Sequence, residues 1–131
     1  MPQERINPWK WQDQYGFSQA IEVSSARRLL FCAGQIALDA DGKVMCVGDM
    51  RGQVEAAMNN VEAVLAAGGL SLANLVRLNF YTTDVDGLFT HYDVIASRLA
   101  AAGCQPSSTL LGVTRLAFPE LLIEIEATAA E

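Results

Sequence analysis

A single histidine, His91, and three cysteines, Cys32, Cys46 and Cys104, are all that this chain of 131 residues offers in soft metal ligands. Zinc sites need Cys and His at close, repeated spacing, and these four residues have none, so no metal is expected. No motif supports a Cys–His nucleophile pair either. Three thiols cannot all pair within one chain. They are expected to be free, buried or half-buried, in a reducing compartment. Positive charge is also scarce: nine Lys and Arg stand against fifteen Asp and Glu, for a net charge of −6, and Arg27-Arg28 is the only adjacent basic pair. Nucleic-acid binding depends on clustered cations on phosphates, so nucleic acid is excluded as the expected ligand. No apolar run approaches the length of a membrane span, and Met-Pro-Gln-Glu-Arg at the start does not have the build of a signal peptide. There is no Gly-rich phosphate loop and no G-x-S-x-G elbow. The expectation is a soluble, cytoplasmic protein with no cofactor and no membrane partner.

What is present is ordinary globular material. Hydrophobic residues make up 51% and charged residues 18%, enough for one domain, residues 1–131, with a real core and no disordered tract. Its organising stretch is Pro106–Val113 followed, after Thr114–Glu120, by Leu121–Ala127. The second run alternates: Leu121, Ile123 and Ile125 fall on one face, and Leu122, Glu124 and Glu126 on the other. Glu124, a carboxylate in so apolar a strand, is a candidate for burial with a shifted pKa, or else an ordinary solvated strand position.

Phe17–Val23 and Leu29–Ala33 read as two further strands joined by a turn, and Gly34-Gln35 ends the second of them. Residues 1–16 read as irregular. Trp9 and Trp11 within them are expected to cover a domain edge or a neighbouring subunit. Asp49 is placed to cap a helix whose stripe is Met50, Val54, Met58, Val61 and Leu65, with Arg51, Glu55, Asn59 and Glu62 outside, ended by Gly68-Gly69. Val76–Thr83 reads as a strand with Val76, Leu78 and Phe80 on one face and Arg77, Asn79 and Tyr81 on the other. Asp84 or Asp86 caps a second helix with the stripe Leu88, Tyr92, Ile95 and Leu99, ended by Gly103 and Pro106. Two amphipathic helices, each preceding a strand, predict an α+β fold with both helices on one sheet face. The other face, where Arg77, Asn79, Tyr81, Glu124 and Glu126 mix with Leu110 and Leu122, suits an assembly interface.

The order Pro106-Ser107-Ser108-Thr109, a short apolar strand, Arg115-Leu116 and then Ile123-Glu124-Ile125-Glu126-Ala127 resembles the C-terminal signature of the YjgF/RidA (reactive intermediate deaminase) superfamily, also known as endoribonuclease L-PSP. Gly34-Gln35-Ile36, Asn60-Val61, Gly68-Gly69-Leu70 and Tyr81-Thr82-Thr83-Asp84 extend the likeness over nearly the whole chain. The resemblance implies a chorismate-mutase-like fold, related to the ferredoxin-like one, and a homotrimer. In it three sheets form a central β-barrel, with small-molecule clefts between subunits.

Similar enzymes hydrolyse imines or enamines made by PLP-dependent dehydratases. They use an arginine in a Pro-Ala-Arg-Ser motif to grip the substrate carboxylate, a glutamate to hold the attacking water, a tyrosine, and the backbone beside a Gly-Gln pair. On this chain the glutamate matches Glu124 and the pair matches Gly34-Gln35. The tyrosine position holds Phe17, the small polar residue before the glycine is Ala33, and the arginine position holds Ser108. A frequent cysteine is Leu110, and a cleft-side helix position corresponds to Tyr92. The substitutions share a direction, since a cation, a hydroxyl and a thiol give way to neutral and apolar groups. The resemblance therefore implies a deaminase-type hydrolase acting on an imine or enamine other than the usual 2-imino acids. The alternative is a non-catalytic small-molecule binder. Ribonuclease activity is disfavoured by the charge.

Overall fold

A computed structural model describes residues 3–131; Met1 and Pro2, the start of the segment expected to be irregular and to lack a signal peptide, lie outside the described residues. That segment is more ordered than its polarity suggested. Gln3–Ile6 forms strand β1 and pairs antiparallel with β2, Ala20–Val23, in a two-stranded sheet of its own. Between them Trp11–Tyr15 makes a turn of 3-10 helix closed by Gly16 at φ 76°. The strand expected over Phe17–Val23 is thus shorter and lies outside the main sheet. A hairpin-like pair needs only local backbone bonds, which hydrophobic patterning does not reveal.

The main sheet contains β3 (Leu29–Gln35), β4 (Leu75–Thr82), β5 (Ser107–Gly112) and β6 (Ile123–Ala130), in the order β3-β6-β4-β5. β6 runs antiparallel to both β3 and β4, whereas β4 and β5 are parallel. Helix α1, Met50–Ala67, carries the chain from β3 to β4. Its start is fixed by the Asp49 carboxylate, which accepts from the Gly52 amide at 3.0 Å. The predicted stripe Met50, Val54, Met58, Val61 and Leu65 is buried on the sheet against Leu78, Phe80, Ile123, Ile125 and Ala127.

The second helix is broken in two, α2 (Val85–Thr90) and α3 (Asp93–Ala101). Asp84 caps α2 through the Gly87 amide at 3.0 Å. The Thr90 hydroxyl turns back to the Asp86 carbonyl at 3.0 Å, a bond that competes with helix continuation. Leu88, Ile95 and Leu99 are buried as the stripe requires, and Tyr92, at the break, is half-buried against the same core. Arg51 on α1 clasps Asp93 on α3 with two bonds of 3.0 Å, and Arg98 reaches Glu62 at 2.8 Å.

All helices cover one sheet face. The open face carries Phe31, Arg77, Asn79, Tyr81, Thr109, Leu111, Glu124 and Glu126, and Phe31 is 74% exposed. Leu110 was expected on this face. It pairs with Phe80 across the parallel ladder and packs towards the helices; its neighbour Leu111 takes the open side, because one residue of register exchanges the faces. Cys32 and Cys104 are buried free thiols raised above the usual range by desolvation, Cys104 to about 11. Cys46, in contrast to the expectation, is exposed on the loop before α1. Among the described residues no helix is long and apolar enough to cross a membrane.

Candidate functional site

Edge strand β5 builds the first half. On its helix-facing side Ser108 and Leu110 line a crevice of about 200 Å³ whose other walls are Trp11, Tyr15, Phe17, Phe80, Phe89 and Tyr92. Three separate pieces of chain supply the rings. Phe80 comes from β4, Phe89 from the end of α2 with Tyr92 from the break after it, and Trp11, Tyr15 and Phe17 from the N-terminal segment. That segment is fastened in place. The buried Gln12 side chain donates to the Trp9 carbonyl at 2.8 Å and accepts from Gln19 at 3.3 Å. Ser18 donates its amide to the Pro106 carbonyl at 3.0 Å and its hydroxyl to the Gln105 carbonyl at 2.6 Å. Trp11 meets Phe17 edge-on with centroids 5.7 Å apart, and Phe80 meets Tyr92 likewise at 5.9 Å.

The Tyr92 hydroxyl donates to the Tyr15 carbonyl at 3.1 Å and so ties the helix break to the N-terminal turn. Burial pushes its phenol up from the usual 10.0 to about 12. The folded state therefore keeps this proton where the unfolded state has lost it. The stabilisation is complete below the unfolded value of 10.0 and is lost as pH rises to about 12. Tyr92→Phe should remove that part of the alkaline decline. Denaturant unfolding followed between about pH 9 and pH 12 checks this, and an unchanged profile would contradict it.

Among the described residues none that lines the crevice is charged. Among the described residues the half-buried Ser108 hydroxyl has no hydrogen-bond partner; the neighbouring Ser107 hydroxyl is spent on the Val76 carbonyl at 2.7 Å. Arg115 offers no replacement cation, because its guanidinium folds back on the carbonyls of Leu116 at 3.3 Å and Ala117 at 3.5 Å. Arg77 lies on the opposite sheet face beside Thr109.

The second half lies at the other edge. β3 changes register between Cys32 and Gln35, which brings Gly34 under the Glu124 side chain of β6. A Cβ at Gly34 would sit 2.6 Å from Glu124 Cδ and 2.7 Å from Oε1, so only glycine leaves the carboxylate where it is. Ala33 is exposed, and its carbonyl accepts from Gln35 Nε2 at 2.9 Å. Gly34 and Gln35 line one end of an open groove of about 600 Å³ with Ile36, Asn59 and Asn60. Glu124 is half-buried and, among the described residues, its carboxylate has no hydrogen-bond partner. Glu126 is committed, accepting from Tyr81 at 2.9 Å and Asn79 at 3.2 Å, and this bond pushes the Tyr81 phenol up. Gln53, fully buried, holds the entry to β6 by donating to the Glu120 carbonyl at 2.9 Å and accepting from the Leu122 amide at 2.8 Å.

Gly34→Ala should displace the Glu124 carboxylate while leaving the fold intact. The clash is with the far end of a flexible side chain, which can move at a cost of about 0.5–1.5 kcal/mol. A crystal structure and a melting curve of the variant check this; a carboxylate in its original place would contradict it.

The eight expected site residues thus fall into two groups. Phe17, Tyr92, Ser108 and Leu110 meet in the crevice; Ala33, Gly34, Gln35 and Glu124 gather at the far edge. Three strand spacings separate β5 from β3, roughly 14 Å, and Glu124 projects from the face opposite Ser108. Trp11, Tyr15, Phe80 and Phe89 were not expected in the site. The spacings Trp11-x3-Tyr15-x-Phe17 and Phe89-x2-Tyr92 are the sequence signal for three of them, legible once both segments are known to meet β5; Phe80 had only its place on the apolar face of its strand.

A model of the family described as Endoribonuclease L-PSP matches residues 12–131. Protein DfrA of Myxococcus xanthus is 36% identical over 100 residues, which are 76% of this chain and 74% of that protein. The crystal structure of YyfB from Yersinia pestis, a protein of unknown function of the conserved Rid protein family, superposes with a TM-score of 0.88 at 34% identity over 100% of both chains. A 2-iminobutanoate/2-iminopropanoate deaminase of Dermatophagoides farinae is 24% identical over 100 residues, 76% of this chain and 74% of that one.

Proposed function

The chain belongs to the endoribonuclease L-PSP family of the YjgF/RidA superfamily, and from that premise we propose that it hydrolyses a reactive imine or enamine other than the small 2-imino acids. The observation that carries the proposal is the crevice itself, which has Ser108 on its wall and, among the described residues, no charged group in its lining; the resemblance matches Ser108 to the arginine of similar enzymes. A 2-imino acid would have to shed water from its carboxylate there without a matched cation, and unpaired buried charge is costly. A neutral imine carries no such penalty.

In the proposed reaction the imine nitrogen takes a proton from solvent, and Glu124 accepts a proton from water as the water oxygen bonds to the imine carbon, giving a carbinolamine. Glu124 returns its proton to the nitrogen, the C–N bond breaks to release ammonia, and the hydroxyl proton passes to solvent as the carbonyl forms. An enamine enters the same route after protonation on carbon. Because Glu124 on the inner strand β6 and Ser108 on the edge strand β5 project from opposite faces of one sheet, this chemistry needs two copies, β5 of one beside β3 of the next. A homotrimer in the cytoplasm, with its open sheet faces turned inward as a barrel, supplies that arrangement. It would also cover Phe31 and Leu111 and leave no free strand edges. The test is ammonia release from a panel of neutral imines generated in situ. Release above buffer supports the proposal.

The crevice also favours a second reading, a non-catalytic binder, because it is fully formed within one chain and does not require Glu124. Ligand-dependent thermal stabilisation without ammonia would select that reading.

A further inference from the structure

We infer that the crevice selects one uncharged, planar six-membered ring, so that the substrate class of the proposed hydrolase is an imine or enamine conjugated to such a ring. The ligand class follows from the crevice itself; only its connection to turnover rests on the hydrolase reading. Six of the eight lining residues are aromatic, and they approach from three sides. Trp11 at 54%, Phe89 at 49% and Tyr15 at 39% remain exposed at the mouth, an apolar rim that a bound ring would cover. Size narrows the choice. An apolar cavity of about 150 Å³ accommodates benzene, so about 200 Å³ holds one ring with a small substituent and excludes a fused pair. The unpartnered Ser108 hydroxyl adds one neutral donor or acceptor on the crevice wall, which suits an imine or amide group attached to the ring. With no cation on the walls, a carboxylate in the same place has only that hydroxyl to replace its water.

The test uses benzamide, benzoate, cyclohexanecarboxamide and 2-naphthamide with the full chain in its native assembly, read by ligand-dependent NMR shifts. Benzamide should bind saturably, benzoate about tenfold or more weakly, and the other two more weakly than benzamide. Trp11→Ala should weaken benzamide by about two- to tenfold. Should that variant unfold, Leu110→Trp, which fills the crevice from its floor, should abolish benzamide shifts in a folded protein. Benzoate binding as tightly as benzamide, no saturable benzamide binding, or undiminished binding in Leu110→Trp would each overturn the inference. The expected order of binding with no ammonia from any imine would keep the ligand class and remove the hydrolase. Ammonia from neutral aliphatic imines with no benzamide binding would do the reverse.

Discussion

Ser108→Arg should convert the crevice into a carboxylate site. The side chain at 108 emerges from β5 into a space of about 200 Å³, among aromatic rings whose faces favour a guanidinium. A hydrogen bond to a charged partner is worth about 1.5–3 kcal/mol, against about 0.5–1.5 kcal/mol for a neutral one. Small aromatic or aliphatic carboxylates should therefore bind about 10- to 100-fold more tightly to the variant than to the wild type. Calorimetry with benzoate reads the change. Clearance of 2-iminopropionate should rise in parallel if Glu124 is in working position. Overpacking of the crevice is expected to lower stability by about 1–3 kcal/mol, so the melting temperature is measured alongside. An arginine that folds in but leaves carboxylate affinity unchanged would show that position 108 does not face the ligand.

Glu124→Gln should remove turnover and leave the fold alone. The glutamine has the same shape and can still touch a water molecule, but it cannot accept a proton from it. Loss of a positioned general base costs about 10²- to 10⁴-fold in rate. The wild-type carboxylate makes no hydrogen bond among the described residues, so the melting temperature should stay close to wild type. Glu126 offers a contrast on the same strand face. Its carboxylate accepts from Tyr81 and Asn79, and Asn79 in turn accepts from the Thr109 amide at 3.1 Å, so Glu126→Gln should perturb the sheet rather than the chemistry. A Glu124→Gln protein with undiminished ammonia release would remove this residue from the mechanism.

Much of this was legible in the chain because burial imposes periodicity. The α1 stripe from Met50 to Leu65 and the alternation of Ile123, Glu124 and Ile125 required a helix and a strand at those places, and both are there. The break at His91-Tyr92 was not legible. The apolar spacing of Leu88, Tyr92, Ile95 and Leu99 is that of one continuous helix, and the interruption is set by a local hydroxyl bond and a tertiary contact to Tyr15. Leu110 shows a different limit. In a run such as Thr109-Leu110-Leu111-Gly112 the pattern does not say which leucine faces inward; pairing with Phe80 decides it. The aromatic crevice could be foreseen only in part. Phe17, Tyr92, Ser108 and Leu110 came from the family resemblance, whereas Trp11, Tyr15, Phe80 and Phe89 join them through long-range contacts.

The decisive assay offers the wild-type assembly 2-iminopropionate made in situ by a PLP-dependent dehydratase, and semicarbazide traps whatever imine survives. With no charged side chain among the described residues of the crevice wall, the trapped imine should equal that of a control without the protein. Trapped imine as low as in a parallel reaction containing a 2-iminopropanoate deaminase would mean that the crevice accepts a small anion after all.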